Sequence, residues 1–182
     1  MSQFRLQFTM VLATIFLFIL MLCINEWLFS YAELVPGINW IYLPAGVRLL
    51  STLLFGGAGA LGLLIVSWLV SFFYFFPNDF MRAFAGGIVA TVAPYGVYLV
   101  AQQAYGLRSS LANLTSARLL ICIIACSLAS PLLHHIWFAI YEPPRPLLKS
   151  FLVMAAGDLN GTLLVVYAAK MMLGLLPRQR TG

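Results

Sequence analysis

Charge is scarce in this chain, and negative charge is scarcest. Of 182 residues, 5 are acidic, 10 are Lys or Arg and 2 are His, so charged side chains make up only 8% of the sequence. A soluble domain presents about a quarter of its residues as charged, and this shortage excludes a fold that meets water on all sides. Cysteine is also rare. Cys23, Cys122 and Cys126 all lie inside apolar runs. Cys122 and Cys126 share a helix face, but with no further cysteine and no acid beside them they read as small buried hydrophobes rather than metal ligands. Catalytic signatures are missing: there is no His-Glu-x-x-His, no Gly-x-Ser-x-Gly and no nucleotide-binding loop. His134 and His135 are adjacent, about 100° apart on a helix, and cannot both face one metal. The basic residues are scattered instead of gathered on one face, which excludes a nucleic-acid surface. The expectation is a non-enzymatic protein without cofactor or metal.

What the chain does have is hydrophobic length. Apolar residues make up 63% of it and the mean hydropathy is +0.98, so the bilayer is the expected solvent and residues 1–182 a single integral-membrane domain. About 20 apolar residues cross a bilayer. The runs predict an all-α polytopic transmembrane bundle of about six segments, over residues 7–30, 43–55, 59–76, 80–105, 116–140 and 149–176, with the second one short. Gly56, Gly57 and Gly59 divide the second from the third, and Gly56, Gly59 and Gly62 at three-residue intervals suit either close helix packing or a flexible turn. Asn78 or Asp79 is placed to cap the fourth segment. Pro94 is expected to kink that segment, and the run from Pro143 to Pro146 reads as stiff and extended. Trp27, Phe29, Tyr31, Trp40 and Tyr42 suit a membrane interface. Arg5, Arg108, Arg118, Lys170, Arg178 and Arg180 fall on one side, against Arg82, Arg145 and Lys149 on the other. Positive charge marks the cytoplasmic face, so both termini are expected in the cytoplasm; a re-entrant second segment would place them on opposite faces.

Three ionisable residues are embedded in apolar sequence: Arg48, Asp158 and Glu26. A guanidinium within a membrane helix costs roughly 2.5 to 3.5 kcal/mol on insertion scales and faces the bundle interior. Arg48 therefore needs a partner, and the expectation is that it meets Asp158 with Glu26 nearby. At 1.5 Å per residue these three, together with His134 and His135, fall about 6 to 12 Å from the same membrane face. Asn25 and Asn160 neighbour them in sequence. The candidate ligand-binding set is accordingly Arg48, Asp158, Glu26, Asn160 and His134. Two readings of it stay open: a clamp that fixes helix packing, and a pocket for a ligand or ion. If Arg48 and Asp158 are partners, exchanging the two residues should recover part of the stability that each alanine substitution removes.

Two stretches also resemble a known family. Trp40-Ile41-Tyr42-Leu43-Pro44-Ala45-Gly46-Val47-Arg48 and Gly157-Asp158-Leu159-Asn160-Gly161-Thr162-Leu163-Leu164-Val165 are similar to the W-x-P-A-G-like opening and the G-D-x-x-G-x-L-x-V final helix of bacterial membrane-associated sensor domains of the first-described class. Members of that family have more spans and usually precede a histidine kinase, diguanylate cyclase or phosphodiesterase, so the resemblance implies the sensory membrane module alone. The expected function is a multi-pass bacterial inner-membrane sensory domain acting in signal transduction, which binds a small ligand or a partner's transmembrane helix and signals through a membrane-protein partner. The alternative is a small-solute transport component, the substrate-binding subunit of an uptake system.

Overall fold

The computed structural model of the protein describes residues 2–35, 37–107, 114–142 and 146–175. Arg108, Arg145, Arg178 and Arg180, and with them part of the charge bias expected above, lie outside the described residues, as do Pro143 and Pro144. The fold is an all-α bundle. Its helices are α1 (Gln3–Phe29), α2 (Pro44–Phe55), α3 (Gly57–Val70, continued by a wider turn over Ser71–Phe75), α4 (Phe80–Tyr105), α5 (Ser116–Tyr141) and α6 (Leu147–Leu175). Five of these are long and apolar enough to cross a membrane, and α2 is the short one.

The distribution of side chains is that of a protein solvated by lipid. Phe4, Phe8, Phe16, Phe73, Leu128, Leu152 and Met172 face outward, while Thr14, Asn25, Ser51, Thr52, Ser67, Ser127, Ser130 and Thr162 are buried. Hydrocarbon gives no hydrogen bonds, so polar groups are kept inside where helix backbones can satisfy them. Thr14, Thr52 and Thr91 accordingly donate to carbonyls one turn back on their own helices. Cys122 and Cys126 pack with Leu49, Leu53 and Ile123 in one core cluster.

A short hairpin that the composition did not announce follows α1, with β1 (Glu33–Val35) antiparallel to β2 (Ile38–Asn39). Gly37 takes φ 83 in its turn, and the Glu33 carboxylate accepts from the Gly37 amide at 2.9 Å. From this hairpin end the chain enters the bundle as α2, whose first turn is anchored by the Leu43 amide donating to Asn25 Oδ1 at 2.9 Å. Twelve residues rise about 18 Å, short of the ~30 Å hydrocarbon thickness, and α2 is buried among the other helices rather than facing lipid.

Gly56, at φ 54, turns the chain from α2 into α3. The turn shares a groove with Phe4 and Gln7 of α1 and Gln102 of α4, so it reaches the end of the bundle where α1 starts. Gly59 then lies directly on the Ser51 carbonyl and Gly62 on Thr14 of α1, which decides for close packing over a loose turn. Helix α6 runs parallel to α2: its Met154 packs with Ile38 near the hairpin, and Leu159 and Val166 pack with Leu49 and Leu53 further along. The start of α1 and the far part of α6 therefore lie at the same end. Asp79 caps α4 by accepting from the Arg82 amide at 3.0 Å, and α4 continues as a helix through Pro94.

Candidate functional site

Residues 40–48 and 157–165, far apart in the sequence, meet in space. The Tyr42 amide donates to the Gly157 carbonyl at 3.1 Å, and Asn160 Nδ2 donates to the Trp40 carbonyl at 3.2 Å. Gly157 lies against the Asn39 carbonyl and Gly161 against the Tyr42 carbonyl, with no room for a methyl group at either position. The same contact continues one turn on, where Gly46 of α2 faces the Val165 side chain. Small residues that let backbones touch are how membrane helices gain packing energy. Here they seat the end of β2 and the irregular segment after it, residues 39–43, against α6 and so set the position of Tyr42 and of Arg48 one turn into α2.

Arg48 is buried, 8% exposed. Its Nη2 donates to the Tyr42 hydroxyl at 3.4 Å, and its guanidinium lies 5.1 Å from the Tyr42 ring centre and 5.7 Å from that of Phe18, a cation–π arrangement strengthened by exclusion of water. Its Nε and Nη1 have no hydrogen-bond partner. Asp158 is likewise buried and within Coulombic reach of Arg48. The two do not close into a contact ion pair, contrary to the expectation from the sequence; among the described residues the ion pair formed is Arg82–Glu142, at 3.1 Å. The long Arg48 side chain turns to two aromatic rings, while the Asp158 carboxyl sits beside Ser130, short of a formed hydrogen bond.

Arg48 lines a cavity of about 60 Å³, large enough for water or a small group. Its polar lining comes from Arg48, Tyr42, Ser67, Ser71, Arg82 and His134, and its apolar lining from Phe18, Phe75, Phe76, Trp137 and Phe138 among others. The widened turn at the end of α3, closed by the Phe76 amide donating to Ser71, places Ser71 and Phe75 in this wall. Such turns recur at functional sites. His134 Nδ1 is 2.8 Å from the Ser130 carbonyl and so carries its proton there. Burial holds the Tyr42 phenol above its ordinary pKa, opposed by the nearby Arg48 charge, so at neutral pH the hydroxyl keeps its proton.

Of the candidate set, Arg48 and His134 share the cavity. Asp158 lies outside its wall. Glu26 is half-buried next to Tyr74, and Asn160 is spent on the Trp40 carbonyl. Arg82, Tyr42 and Ser67 were not singled out in the sequence. Arg82 reads there as a topology-setting loop charge and Tyr42 as an interfacial aromatic, and a lone serine in an apolar run carries no signal.

Comparison of the chain with protein-family models, with curated proteins and with solved structures finds no match. The functional reading therefore rests on the site.

Proposed function

We propose that the protein is a non-enzymatic, sensor-like module of the bacterial inner membrane, which takes a small ligand in the cavity at Arg48 and His134 and passes the signal to a membrane-protein partner. One observation carries this reading: a guanidinium almost wholly out of water keeps two donor nitrogens unpartnered at a cavity wall. An unmade hydrogen bond from a buried charged group is expensive, and the cost is met when a ligand fills the place. The resemblance of residues 40–48 and 157–165 to a sensory family, and the docking of these stretches on each other, support the same reading. Positive charge at Arg5, Arg118 and Lys170, at the end shared by the start of α1 and the far part of α6, supports a cytoplasmic position for that end.

Deletion of the gene, followed by measurement of solute accumulation and of the transcriptional response, tests the function. A changed response with unchanged uptake is expected; loss of accumulation of a solute would identify a transport component instead. Topology is tested separately. Green fluorescent protein fused to either terminus should fluoresce and alkaline phosphatase there should stay inactive, whereas an active phosphatase at one end would overturn the orientation.

A further inference from the structure

The ligand's chemistry follows from the charge of the cavity wall. Two arginines from different helices, Arg48 of α2 and Arg82 of α4, line one cavity, and among the described residues of its lining there is no acid. We infer that the cavity recognises the oxyanion group of a ligand, a carboxylate or a phosphate, the rest of the ligand lying outside its volume of about 60 Å³. This rests on the reading of the cavity as a ligand site and adds the class of ligand.

Several residues of its wall carry hydrogen-bond donors. Arg48 is more than nine-tenths buried and offers Nε and Nη1. Ser67 is also buried, and its hydroxyl has no partner. The Tyr42 hydroxyl accepts from Arg48 and keeps its own proton to donate. Guanidinium geometry matches a carboxylate or phosphate with paired N–H···O bonds, each stronger than a neutral hydrogen bond. Arg82, held over the Phe76 ring at 4.2 Å, brings a second guanidinium whose charge Glu142 already balances. Its partner Glu142 shows what the position accepts, since the Glu142 carboxylate already lies on Arg82 Nε. The rings of Phe18, Phe75 and Trp137 complete the wall. The shared chemistry has two sources, a free organic or inorganic oxyanion and the phosphate of a lipid headgroup.

Purified full-length protein in maltoside detergent, stripped of phospholipid, is titrated with benzoate, inorganic phosphate, chloride and neutral benzamide while its thermal unfolding is followed; phosphatidylglycerol is added back in a parallel arm. Benzoate or phosphate should raise the unfolding temperature where chloride and benzamide do not, and stabilisation by phosphatidylglycerol alone would assign the site to a headgroup. Arg48→Gln should weaken the effective probe by about tenfold or more, and Ser67→Ala and Arg82→Gln supply independent variants should Arg48→Gln not fold. Equal stabilisation by benzoate and benzamide, abolished by Ser67→Ala, would overturn the oxyanion while leaving a ligand site. Folded protein that responds to no probe would overturn both.

Discussion

Replacing Gly161 by alanine is expected to cost the protein much of its folded stability, although the change adds a single methyl group. The new Cβ would collide with the Tyr42 carbonyl and approach Leu43 N to 2.8 Å. These are backbone atoms, with no rotamer to move, so the loop or the helix must shift as a unit. Overpacking of this kind costs roughly 1 to 3 kcal/mol, occasionally more. A loop pushed off α6 also strains the Tyr42–Gly157 and Asn160–Trp40 hydrogen bonds and the Leu43–Asn25 anchor of α2. An unfolding temperature lowered by about 5 to 10 °C in detergent is expected. Gly96→Ala is the control: nothing lies within 4 Å of its added Cβ, and alanine gains up to about 1 kcal/mol of helix propensity there. If the two substitutions have equal effects, the seat of residues 39–43 on α6 is not what holds α2 in place.

The contrast between those two glycines also marks what could be read from the chain beforehand. Segment positions were legible because bilayer thickness dictates the length of an apolar run: the expected 80–105 and 116–140 stand against Phe80–Tyr105 and Ser116–Tyr141. The turn at Gly56 and the cap at Asp79 were legible for local reasons, a residue that tolerates positive φ and a short side chain that reaches its own helix. Which helix faces touch was not legible, because rotation of one helix about its axis leaves its hydropathy unchanged. Gly157 and Gly161 stood out as a motif, yet nothing in their spacing says that they hold a loop instead of another helix. Depth placed Arg48 and Asp158 within reach of each other. It could not foresee that a side chain as long as arginine would be drawn to Tyr42 and Phe18, nor that Arg82, in the first turn of its helix, would reach the same cavity.

Arg48 and Asp158 should behave as coupled charges without being interchangeable ones. Asp158→Leu leaves a buried guanidinium with less compensation, and Arg48→Met leaves a buried carboxylate beside Ser130. Removing one member of a buried charge pair typically costs about 3 to 5 kcal/mol, whereas replacing both by apolar residues of similar volume is often neutral or better. The double variant Arg48→Met with Asp158→Leu should therefore be more stable than the sum of its parts by about 0.5 to 3 kcal/mol. The charge exchange, Arg48→Asp with Asp158→Arg, should not recover stability. It would set a carboxylate against the electron-rich faces of Phe18 and Tyr42, and a guanidinium at position 158 away from both. Equilibrium unfolding in mixed micelles separates the alternatives. Additivity within about 0.5 kcal/mol would mean that the two charges do not sense each other, and recovery by the exchange would mean that they meet directly and that the aromatic seat of Arg48 contributes little.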